Sequence, residues 1–64
     1  MARTASLPFV DRILNGQLEA ELRQRRAVPE SFETIARWLI AEHGIDVSSA
    51  TVRRWCIELG LEAA

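Results

Sequence analysis

The sequence predicts an all-α fold of three to four short helices, and three observations predict it. Phe32, Ile35, Ala36, Leu39, Ile40 and His43 recur at three- and four-residue steps, the spacing of one helix face. Val52, Trp55, Cys56 and Leu59 repeat that spacing near the end of the chain. Breakers at Asn15-Gly16, Pro29, Gly44 and Gly60 cut the sequence into pieces of a few turns each. The one segment that alternates, Ile45-Asp46-Val47, is too short for a useful strand, and no strands follow the last helix to make a wing.

Taken in order, residues 1–6 read as a flexible tail and residues 7–61 as a single domain. Pro8 suits the first turn of a helix, where its missing N–H costs nothing. Phe9, Val10, Ile13 and Leu14 then fall at helical spacing, and Asn15-Gly16 supplies a break and a C-terminal cap. "QLEAELRQRRAV" resumes with strong helix formers around Leu18 and Leu22, so the N-terminal helices occupy 8–28. Pro29 closes that segment and can open the next, which runs over 30–43 with Ser31 able to cap its start. Gly44 is the expected left-handed residue after it, and Ile45 and Val47 dip into the core on either side of Asp46. Ser48 caps the last helix, 49–59, which Gly60 ends.

Composition narrows the function. A chain of 64 residues holds one thin core and no large cofactor fold. With 48% hydrophobic residues a folded globule is expected rather than disorder. No run approaches the ~20 apolar residues of a membrane span, and "MARTASLPF" lacks the apolar stretch of a secretion signal. A cytoplasmic location in a bacterial host is expected. One cysteine, Cys56, and one histidine, His43, are too few for an internal disulfide or a zinc site, so neither a metal nor another cofactor is expected. All 8 basic residues are arginines, a bias of GC-rich genomes. The net charge of −1 argues against a protein that grips nucleic acid by bulk charge, so such binding must rest on local placement.

"DVSSATVRRW", residues 46–55, offers that placement. Two helices joined by a short Gly-containing turn, the second starting at a serine cap, form a C-terminal helix-turn-helix. The first braces the second. The second needs small or polar residues in its N-terminal half so that its backbone can enter the major groove. Ser49, Ala50 and Thr51 are small, and Arg53 and Arg54 follow one turn later. Arginine donates two hydrogen bonds to a guanine edge or pairs with phosphate. With Val52 and Trp55 inward, Ala50 and Arg54 point outward and Ser49, Thr51 and Arg53 lie on the flanks. Arg37 and the cluster Arg23, Arg25 and Arg26 are the candidates for backbone phosphates. "SFETIARWLIAEHGIDVSSATVRRWCIELGL" resembles the helix-turn-helix of phage and mobile-element DNA-binding proteins, the homeodomain-like modules of transposases and recombinases. The resemblance covers about the second half of the chain. It rests on Ile35-Ala36, Leu39, Gly44-Ile45, Val47-Ser48 and Thr51-Val52-Arg53-Arg54-Trp55. It implies a phage or prophage protein that binds double-stranded DNA as a regulator or recombination accessory factor, without the catalytic domains of larger members.

The rival readings are specific. Arg53 and Arg54 could instead be a solvated face paired with Glu58 or Glu62. Trp38 lies at the edge of its helix's apolar face and fits core or subunit contact better than base stacking. His43, Asp46 and Ser48 are residue types of a catalytic triad, but a tight loop supplies no oxyanion hole or cleft; no enzyme is expected. Cys56 reads as a small buried hydrophobe. A protein–protein adaptor would use the same fold with an apolar surface around Ile57, Leu61 and Trp38. A homodimer on a palindrome would compensate for the few base pairs one helix can read.

Overall fold

The computed structural model describes residues 6–63, and these form four helices: α1 (Leu7–Ile13), α2 (Leu18–Ala27), α3 (Phe32–His43) and α4 (Ser49–Glu58). Among the described residues there is no strand. Of the expected tail 1–6, only Ser6 is described, and it has a structural task. Its Oγ accepts the Phe9 N–H at 3.4 Å, so it caps α1, with Pro8 in the first turn.

α1 and α2 are separate helices because Asn15 (φ 56°) and Gly16 (φ 77°) both adopt left-handed backbone conformations. Asparagine and glycine are the residues that tolerate this region. The Gly16 N–H donates to the Asp11 carbonyl at 2.7 Å and finishes the turn. The start of α2 has no cap from its adjacent residue Gln17. Its Leu18 N–H instead donates to the Asp11 carboxylate at 3.0 Å, so one acidic residue of α1 satisfies and electrostatically favours the next helix's N-terminus.

α3 begins at the expected cap: Ser31 Oγ accepts the Thr34 N–H at 3.1 Å. Pro29 lies before that cap, in the turn after α2, so α3 starts at Phe32 rather than 30. Gly44 ends it at φ 64°, a conformation costly for a residue with a side chain. Gly44–Ser48 then leads into α4, with Ile45 and Val47 buried and Asp46 exposed between them. α4 closes with the Gly60 N–H on the Ile57 carbonyl and the Leu61 N–H on the Cys56 carbonyl, which turns Leu61 back onto the core.

The core joins Val10 and Leu14 of the α1 region, Leu18 and Leu22 of α2, Ile35, Ala36 and Leu39 of α3, Ile45, Val47, and Val52, Trp55 and Cys56 of α4. α3 and α4 form the most extensive helix pair. Periodicity overreached at three positions. Phe9, Ile13 and Ile40 share apolar stripes with core residues yet remain 55%, 42% and 49% exposed. Each stripe is wider than the surface its neighbours cover, and these residues are its uncovered edge. His43, assigned to the same α3 face, is exposed as well.

Candidate nucleic-acid interface

α4 is fixed at both its start and its inner face, which determines what it turns outward. Ser48 Oγ accepts the Thr51 N–H at 3.2 Å and lies 3.1 Å from the Thr51 hydroxyl. Val52, Trp55 and Cys56 are buried. With about 100° between successive residues of a helix, Ala50 and Arg54 lie opposite that buried trio, and Ser49 and Arg53 lie to one side. Ser49, Ala50, Arg53 and Arg54 are all exposed. Thr51 is half-buried with its hydroxyl in the cap, so it holds the helix start more than it extends the outer surface. The first turn contains no acidic residue.

The arginines separate into two groups. Among the described residues, Arg37, Arg53 and Arg54 make no ion pair and are exposed. Glu58 is exposed and takes neither Arg53 nor Arg54, and Glu62 is occupied by Arg26 at 2.8 Å. Arg12 on α1 is a further exposed cation without an ion pair among the described residues; it carried no motif and was not singled out by the sequence.

The expected phosphate cluster on α2 is differently disposed. Arg23 pairs with Glu19 at 2.7 Å on an open surface, a contact worth ~0.5 kcal/mol or less. Arg25 is committed inside the chain. Its guanidinium carbon lies 3.7 Å from the Trp38 ring centroid, its Nη1 is 3.3 Å from Glu30 and its Nε is 3.5 Å from Glu21. That Nε is buried and makes only the ion-pair contact, with no hydrogen bond. Arg26 donates to Glu62 and to the Glu30 carbonyl and lies 4.2 Å from the Phe32 ring centroid. Arg25 and Arg26 therefore join α2 to α3 and to the segment after α4 instead of facing outward as phosphate anchors. Glu62 follows the C-terminal end of α4, so Arg26 sits at the opposite end from Ser49–Thr51.

The remaining candidates have structural tasks. Trp38 is half-buried, with Arg25 over its face and the His43 ring edge-on at 5.2 Å. Ser48 is engaged as the cap of α4, and Asp46 is exposed. His43, Asp46 and Ser48 form no mutual hydrogen bond among the described residues. Burial pushes the Cys56 thiol above its ordinary pKa; Arg26 opposes that shift and Glu62 adds to it. No group of three or more His, Cys, Asp or Glu is placed to hold a metal ion among the described residues. No described helix is long and apolar enough to cross a membrane. Leu61 and Trp38 pack on the core, so the apolar surface expected around them and Ile57 is largely covered; Phe9, Ile13, Val28 and Ile40 are the exposed large hydrophobics.

No protein-family model, curated protein or solved structure matches the chain.

Proposed function

We propose that this chain is a non-enzymatic, sequence-specific double-stranded DNA-binding protein of phage or prophage type, acting as a regulator or recombination accessory factor. α3 and α4 are read as the helix-turn-helix, with α3 as the brace and α4 in the major groove. One observation carries the reading: the exposed face of α4 combines small Ser49 and Ala50 with Arg53 and Arg54, which have no ion pair among the described residues. An α-helix with its side chains is about 10–12 Å across, which a major groove about 12 Å wide admits. Arg37 is the candidate phosphate contact from α3, and Arg23 retains solvent access for a weaker one.

A net charge of −1 and few unpaired cations favour a small number of phosphate contacts and a shallow salt dependence. Two copies on a palindromic site would extend so short a readout. The site of action is the bacterial cytoplasm, where such DNA lies.

The test is binding to a library of random duplexes at low and moderate salt, followed by sequencing of the retained fraction. A recurrent short motif is expected. Retention of no duplex at about 50 mM salt would sink the DNA reading. The second reading, a protein–protein adaptor, is favoured by the exposure of Phe9, Ile13 and Ile40. It predicts that Phe9→Ser with Ile13→Ser abolishes partner binding while duplex binding is absent from the start.

A further inference from the structure

The outer face of α4 divides the two arginines. Val52, Trp55 and Cys56 define the inward direction. At about 100° per residue, Arg54 lies close to the outward direction together with Ala50, one turn before it. Arg53 lies well to the side, on the flank that also carries Ser49. Arg54 thus leaves the helix straight outward and Arg53 leaves it sideways, both into solvent.

Resting on the DNA-binding reading above, we propose that Arg54 and Ala50 read base identity, taking a guanine and a thymine within about two base-pair steps of each other, whereas Arg53 grips phosphate. A residue projecting straight from a helix in the major groove meets the groove floor, where base edges lie. A residue leaving sideways meets the wall, which is phosphate. The Arg54 fork matches the O6 and N7 acceptors of guanine. Ala50 is short enough to admit the helix to the floor, and its methyl suits the thymine methyl. Positions four apart on a helix are about 6 Å apart along its axis, and successive bases of a strand rise about 3.4 Å, so the two positions face bases about two steps apart. Glu58, exposed one turn beyond Arg54, repels phosphate and confines the readout to the part of α4 that ends at Arg54.

Selection from random duplexes with the unaltered chain and with single variants tests this. The unaltered chain should enrich a motif holding a guanine and a thymine at that separation. Arg54→Ala should erase the preference for that guanine, by about 5- to 150-fold against other bases, and keep the rest of the motif. Arg54→Gln should move the preference there to adenine, because the carboxamide matches the adenine edge. Arg53→Ala should keep the motif, weaken all sequences alike and reduce the salt slope by about one. Replacing the thymine by deoxyuridine removes one methyl without touching the protein and should cost about fourfold. Circular dichroism checks that each variant is folded. A motif without guanine, or a guanine preference lost with Arg53→Ala and kept with Arg54→Ala, overturns the assignment and leaves DNA binding standing. Absence of binding to any duplex removes both.

Discussion

Arg26 and Glu62, 36 positions apart in the chain, are hydrogen-bonded at 2.8 Å through Nε of the arginine. The pair joins the end of α2 to the segment that follows α4. It is shielded from solvent by more than two-thirds, and Phe32 lies against the guanidinium. Removing Arg26 leaves Glu62 partly desolvated without an ion pair among the described residues, and removing Glu62 leaves Arg26 with the Glu30 carbonyl and the Phe32 ring but no carboxylate; either loss costs more than that of an open surface pair.

Arg26→Ala is therefore expected to lower stability by about 1–3 kcal/mol, and Glu62→Ala by a similar amount. The double variant should cost less than the sum of the two. Urea denaturation followed by circular dichroism measures this. Duplex affinity per folded molecule should not change with Arg26→Ala. A uniform loss of affinity with a reduced salt slope would return Arg26 to the phosphate contacts.

The same pair explains what the sequence conceals. Ser31, Gly44, Ser48 and Gly60 were legible as helix boundaries because each acts on neighbours within a few positions. The inward set Val52, Trp55 and Cys56 was legible because one helical period fixes it. The fate of Arg25 and Arg26 was not, because Glu30, Trp38 and Glu62 reach them only through the packing of helices. Likewise Asp11 caps a helix other than its own. Phe9, Ile13 and Ile40 carry the same periodic signal as core residues, and only neighbouring helices decide which edge of a stripe is covered.

Gly44 holds α3 and α4 in register with the backbone at φ 64°, and a Cβ there would meet no atom within 4 Å. The cost of a side chain is thus backbone conformation alone. Gly44→Ala should destabilise by about 1–2 kcal/mol, and Gly44→Asn by less, since asparagine visits the left-handed region more readily. Thermal melts of the pair check the order. Equal loss in both variants would point to crowding that the open surroundings of Gly44 do not provide.

Cys56 is fully buried, and burial raises its thiol pKa, with Arg26 lowering and Glu62 raising it to smaller degrees. The native state consequently retains the proton above pH 9.0, the ordinary value, where the unfolded chain releases it. Stability should be independent of this group below that pH and fall as pH rises past it. Cys56→Ala should remove this part of the alkaline slope, whatever it does to overall stability. An aromatic disulfide reagent at pH 8 should leave the folded thiol unreacted and modify it fully in denaturant. Rapid labelling of the folded chain would contradict the burial.

Assembly provides the last prediction. Phe9 and Ile13 are exposed one turn apart on α1, and α1 is only seven residues long. Even together with Val28 and Ile40, these part-exposed side chains fall well short of the roughly 800 Å² that each partner of a stable complex buries. The chain at micromolar concentration should therefore sediment as a monomer. If two copies act on a palindrome, the pairing must draw on DNA: each recognition helix occupies a half-site, and half-sites lie about 34 Å apart or at multiples of that distance. Sedimentation with a selected duplex should then show two chains per palindrome, and lengthening the spacer by half a helical turn should abolish the two-to-one complex while leaving one-to-one binding. A stable dimer without DNA would mean that a larger surface than α1 is involved. One chain per duplex on every site would remove the paired arrangement and leave α4 as a monomeric reader.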